Sequence, residues 1–148
     1  MKYLFILILL TSVMLMTTAN AQDRSTRFER QHHSKYEKAN VEQTEEMLLQ
    51  SLQSDNVGIL ASSAQTIRQL QIIFPDNPFS SLIDPLIKII QDEKGDTHVR
   101  ILSALALDDL HSDKGDKAIF NVSKKSNDKS VKDVCTALSV ESFLASQK

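Results

Sequence analysis

Apolar residues are spread unevenly along the chain, and their spacing changes twice. Lys2 is followed by an unbroken apolar run from Tyr3 to Leu10, then Thr11-Ser12-Val13-Met14-Leu15-Met16, closed by Ala19-Asn20-Ala21. A basic start, a short apolar stretch and a small-x-small site predict a secretory signal peptide over 1–21, cleaved after Ala21. The apolar run is about 14 residues, shorter than the roughly 20 that a spanning helix needs, so an uncleaved anchor fits less well. The mature chain is expected outside the cytoplasm, secreted or periplasmic, with no membrane span after cleavage. From Gln22 to Asn40 the only apolar residues are Phe28, Tyr36 and Ala39, set among Arg24, Arg27, Arg30, Lys35 and Lys38. Such a stretch cannot bury enough surface to offset its ordering entropy. It reads as a polar lead-in over 22–40, flexible or partly helical.

From 41 to 148 the period becomes helical, and no segment alternates with period two. Val41, Leu48 and Leu52 form the first stripe, with Asn40 and Gln43 spaced as a capping box. Val57, Leu60, Ala64 and Ile67 form the second, which ends before Phe74-Pro75-Asp76-Asn77-Pro78. Ile83, Leu86, Ile87 and Ile90 form the third, stopped by Lys94-Gly95-Asp96. Val99, Leu102, Ala106 and Leu110 form the fourth, stopped near Ser112-Asp113-Lys114-Gly115. A short fifth helix is expected from about Asp116 to Lys125 around Ile119, Phe120 and Val122. The sixth starts at Ser130 and carries Val131, Val134, Leu138, Phe143 and Leu144. Six helices and no sheet are predicted.

The helices repeat in pairs. Aligned on their first valines, the second helices read Asn56-Val57-Gly58-Ile59-Leu60-Ala61-Ser62, His98-Val99-Arg100-Ile101-Leu102-Ser103-Ala104 and Ser130-Val131-Lys132-Asp133-Val134-Cys135-Thr136. Helix pairs recurring at this spacing predict an all-α superhelix of about three pairs, each burying its faces against the next. The repeats fall at about 41–74, 79–112 and 116–147. Small residues on the second helices would let neighbouring backbones approach.

Composition narrows the function. The 148 residues carry 17 Lys+Arg against 19 Asp+Glu, a formal charge of −2, which argues against a nucleic-acid binder. One Cys cannot close an internal disulfide. Three Gly leave neither a G-x-G-x-x-G fingerprint nor a P-loop.

The repeats resemble the HEAT-repeat family, including the related repeats of phycobiliprotein lyases. Leu82-Ile83-Asp84-Pro85-Leu86-Ile87-Lys88-Ile89-Ile90-Gln91-Asp92 is similar to that family's first helix with its Pro. Asp96-Thr97-His98-Val99-Arg100 matches its Asp-x-x-Val-Arg junction, and Ser103-Ala104-Leu105-Ala106-Leu107 its small-residue stretch. Asp128-x-x-Val131-Lys132 keeps the junction with Lys for Arg, whereas the first repeat departs, with Ser54 in the Asp column and Gly58 in the Arg column. The resemblance implies a short armadillo-like α-solenoid acting as a small secreted bacterial protein-binding scaffold.

Candidate chemistry is sparse. Asp96 and Asp128 are placed to cap helices, and Arg100 and Lys132 to pair with such Asp residues in an intramolecular ladder. His32-His33 point apart on any regular element, and His98 and His111 lie near opposite ends of one helix. Neither arrangement converges as a zinc site requires. Asp108-Asp109 and Asp92-Glu93 point to different faces, and no Gly-x-Ser-x-Gly elbow occurs. Lys114, Lys117, Lys124, Lys125, Lys129 and Lys132 are balanced by Asp113, Asp116, Asp128 and Asp133. Asn121-Val122-Ser123 is a glycosylation sequon, meaningful in a eukaryotic secretory route. No catalytic, cofactor-binding or metal residue is assigned, and no cofactor is expected.

The expected function is a non-enzymatic protein–protein interaction or scaffold module of the cell envelope, its partner another protein. The expected binding groove is lined by the second helices, at Ser62, Gln65 and Gln69, then Arg100, Ala104 and Asp108, then Lys132 and Thr136. The alternative is an accessory, lyase-like factor handling a cofactor or a covalent modification. A third reading is an envelope structural protein tethered by its lead-in. Cys135 is expected to pack between helices.

Overall fold

Every helix leaves its first N–H groups without intrahelical partners, and short polar side chains decide where this chain starts its helices. A computed structural model describes residues 40–145. The signal peptide expected over 1–21 and the lead-in over 22–39 lie outside the described residues. Residues 40–51 form α1, followed by α2 (Val57–Ile73), α3 (Ser80–Gln91), α4 (Thr97–Asp109), α5 (Asp113–Lys125) and α6 (Lys129–Ala145). There is no strand among the described residues, and none of their helices is long and apolar enough to cross a membrane. Asn40, read as a cap, is itself helical.

Three caps share one geometry. The Asn56 side chain accepts from the Gly58 and Ile59 N–H groups, Asp96 from His98 and Val99, and Asp128 from Ser130 and Val131. These contacts correct the register of the first repeat by two residues. Asn56, not Ser54, holds the Asp column, and Leu60, not Gly58, holds the Arg column. Ile59 rather than Val57 then aligns with Val99 and Val131. The valine alignment misled because Val57 stands one residue after its cap, whereas Val99 and Val131 stand three after theirs.

One further boundary differs from expectation. Ser112 accepts from the Gly115 N–H and starts α5 at Asp113, so Gly115 is not a stop but a buried helical residue. A Cβ there would stand 2.9 Å from Ser112 Oγ and 3.4 Å from the Leu107 side chain, which explains the glycine. His111 takes a positive φ of 47° and turns the chain between α4 and α5. Phe79, ahead of α3, also sits at positive φ, 41°, yet is 1% exposed. A left-handed non-glycine residue costs roughly 1–2 kcal/mol, and burial of the phenyl ring offsets it.

Residues Thr44–Lys148 form one compact unit. Within it α2 packs on α4 and α4 on α6, while α3 packs on α5; α3 also pairs with α4 and α5 with α6. First helices neighbour first helices and second neighbour second, the arrangement of an all-α superhelical stack. Glu45 joins α1 to the start of α3, its carboxylate accepting from Ser81 Oγ at 2.5 Å. The core runs through Leu48, Leu52, Ala64, Ile67, Phe79, Leu82, Leu86, Ile90, Val99, Leu102, Ala106, Leu107, Ile119, Val122, Val131 and Leu138. Helix α4 is buried on most sides, so it carries apolar and small residues around nearly its whole circumference.

Part of the expected core lies outside. Phe120 is 52% exposed and Leu144 57%, and Phe143 is outside the residues whose side chains are described. Ile83 and Ile87 are half-buried, because the stripe of α3 that faces inward is Leu82, Leu86 and Ile90.

Candidate functional site: a groove between α5 and α6

Two antiparallel helices expose a furrow wherever the residues on their facing edges are short. Along α5, Asp116, Ile119, Phe120 and Ser123 recur at helical spacing, and along α6 Thr136, Ser139 and Val140 do the same. Together with Asp108 at the end of α4 they line an open groove of about 660 Å³. Ile119 and Leu138 make its buried floor, and Phe120 and Val140 stand half in solvent on its walls.

The hydroxyls of the groove face their own backbone. Ser123 Oγ donates to the Phe120 carbonyl at 2.7 Å, Thr136 Oγ1 to Lys132 at 2.8 Å, and Ser139 Oγ to Cys135 at 2.8 Å. With their protons held by carbonyls of the preceding turn, these side chains have no proton left to donate to a ligand. Lys124, also lining it, lies 5.1 Å from the centroid of the Phe120 ring, in cation–π range.

Charge is sorted along the groove. Asp108, half-buried, has its carboxyl pushed above the ordinary range by burial first, then by Asp109, Glu141 and Asp116; His111 opposes this. Asp109 turns away and pairs with Arg68 at 2.6 Å, so the two neighbouring carboxylates do point to different faces. Lys117 is on the acidic end as well, while Lys124 lies in the last turn of α5.

The structure brings only some of the expected groove residues here. Asp108 and Thr136 line the groove, but Ser62, Gln65, Gln69 and Lys132 are exposed elsewhere on the second helices. Arg100 and Ala104, read as outward, are 1% and 0% exposed. The expectation gave every second helix an open face, whereas α2, α3, α5 and α6 all pack on α4. Phe120 and Val140 were the missed residues. The signal was available in the positions of Phe120 and Lys124, four apart on a helix whose other apolar residues already fill one face.

Compared with protein-family models, with curated proteins and with solved structures, the chain matches none.

Arg100 serves the fold instead. Its Nε and Nη2 donate to the Ile90 carbonyl at 3.2 and 3.1 Å, and Nη2 also reaches Glu93 Oε1 at 2.6 Å and Ser126 Oγ at 3.0 Å. Glu93 accepts from the Asn127 N–H with its other oxygen, and that bond, with help from Arg100 and Ser126, holds its carboxyl below the usual range. The partner of Arg100 is therefore a loop Glu, not an Asp of a neighbouring repeat. A different cross-repeat link exists: Thr97 Oγ1 donates to Asp128 Oδ2 at 2.5 Å, the main reason the Asp128 carboxyl is held low. Lys132 is exposed.

Other candidates are dispersed. His98 and His111 are exposed at opposite ends of α4, Asp92 accepts from the Lys94 N–H, and Lys114 pairs with Asp84 across two exposed side chains. His32 and His33 lie outside the described residues. Cys135 is fully buried between helices, and burial pushes its thiol up to about 11. It shares a column with Ser63 and Ser103, all three buried, in the corrected register.

Proposed function

We propose that this protein is a small HEAT-type, armadillo-like solenoid of the cell envelope that works by binding another protein. The observation that supports this most is the open α5–α6 groove, in which exposed Phe120 and Val140 flank an apolar floor. Apolar surface rimmed by charges is the composition of interaction sites. The groove hydroxyls are back-bonded to their own helices, an arrangement suited to contact rather than to nucleophilic attack. The capped Asp-x-x-Val junctions and the pairing of first with first and second with second helices support the HEAT reading. The basic start, apolar run and Ala-x-Ala site support export and cleavage after Ala21.

The test is cross-linking of the tagged full chain in its native envelope fraction, followed by titration with the purified protein recovered. One consistent partner that binds directly is expected, and the exported chain should begin at Gln22. A chain that instead purifies with a stoichiometric ultraviolet-absorbing small molecule, and with no protein, would overturn the reading.

A further inference from the structure

Resting on that reading, we infer that the α5–α6 groove takes a short extended peptide segment of the partner, with a basic residue at one end, two apolar residues in the middle and an acidic residue at the other. The argument is charge complementarity along an apolar trough. At one end Asp108 and Asp116 line the groove, with Glu141 close enough to raise the Asp108 carboxyl. Lys117 and His111 at that end do not outnumber them. At the other end stands Lys124. Between them lie Ile119, Phe120, Leu138 and Val140.

The dimensions set the length of the segment. From Asp116 to Lys124 is eight residues of helix, about 12 Å at 1.5 Å per residue. An extended peptide covers that distance in about four residues. A lysine or arginine of the segment would stand against the crowded carboxylates, where a cation relieves like-charge repulsion. Two apolar side chains would cover the exposed Phe120 and Val140 surfaces. A carboxylate would meet Lys124, whose ammonium already lies over the Phe120 ring. Since the groove hydroxyls spend their protons on their own backbones and offer the segment only acceptor oxygens, affinity comes mainly from apolar cover and specificity from the two charged ends.

The experiment is selection of random heptapeptides displayed on phage against the full chain, immobilised through a C-terminal tag. The enriched set should carry Lys or Arg, then two or three apolar residues, then Asp or Glu. A synthetic peptide of that consensus should bind at least tenfold more weakly to the Phe120→Gln/Val140→Gln variant. Both positions are exposed, so the fold should be kept, and a thermal melt checks it. Asp108→Asn/Lys124→Gln leaves the net charge unchanged and should abolish preference for the consensus over all-acidic and all-basic peptides with the same apolar middle. Enrichment without the charge order, undiminished binding to either double variant, or no enrichment would overturn the inference. So would a concentration-dependent dimer of the chain that Phe120→Gln disrupts, which would make a second copy the occupant. An envelope partner that is still captured by the Phe120→Gln/Val140→Gln variant would refute the groove while leaving the module reading standing.

Discussion

Replacing Arg100 with Met removes the guanidinium while keeping most of the aliphatic stem that packs between helices. In the wild type that guanidinium satisfies the Ile90 carbonyl, one of the orphan acceptors at the C-terminal end of α3, and ties it to Glu93 and Ser126. Hydrogen bonds to a charged group are each worth roughly 1.5–3 kcal/mol, and a buried carbonyl left unpaired costs about 1–3 kcal/mol. Against this, a guanidinium that is 1% exposed no longer has to be desolvated. The net loss should be about 2–4 kcal/mol. At 4–8 °C per kcal/mol for a domain near 100 residues, the melting temperature should fall by roughly 8–32 °C. Circular dichroism melts at pH 7 measure it, with Lys132→Met as control, since Lys132 occupies the same column but is exposed and should change stability by less than about 0.5 kcal/mol. The combined effect of Arg100→Met and Glu93→Gln should be less than the sum of the two. A loss under about 1 kcal/mol for Arg100→Met, or one equal to the control, would refute the assignment of Arg100 as the clasp between the loops.

Acid should loosen the same clasp. Glu93 is held below its ordinary value of 4.5 in the folded chain, so its contribution is complete above that value and is lost as pH falls through the lowered folded value; Glu93→Gln should flatten the acid side of the melting-temperature profile. The Cys135 thiol, at about 11, should be almost entirely protonated at pH 8. Labelling by a thiol reagent should be slow in the native chain and fast in denaturant, and Cys135→Ala should cost about 1 kcal/mol by analogy with small core trims. Asn56→Ala should cost about 1 kcal/mol as a lost cap, measured by urea titration, and more than Ser54→Ala; the reverse order would restore the valine register.

Much of this architecture was legible because period and caps act locally. The stripe Val99, Leu102, Ala106 and Leu110 is buried along its length, and Asp96 and Asp128 cap as their positions indicated. What sequence could not supply was the number of neighbours each helix acquires. Arg100 looks outward on any isolated α4, and only the arrival of the α5–α6 loop, with Ser126 and Asn127, closes over it. Gly115 reads as a terminator unless Ser112 and Leu107 are seen beside it. The groove escaped for the opposite reason: Phe120 is apolar and was assigned inward, although Ile119 and Val122 already occupy the buried face of α5.

Helix α4 packs against α2, α3, α5 and α6, and this shapes how the chain opens. A linear array of repeats can unravel from either end because each unit holds only its neighbours. Here an end can fray without releasing the middle, but the middle cannot open without releasing everything that touches it. Amide protons from Leu102 to Leu107 should therefore exchange with solvent only through global unfolding, whereas those at the outer end of α2, beside exposed Ile72 and Ile73, should exchange through cheap local openings. The α5–α6 groove lies between these extremes, on a pair anchored to α4 along one side and open on the other. That position leaves its walls room to adjust to an incoming segment while the floor stays fixed.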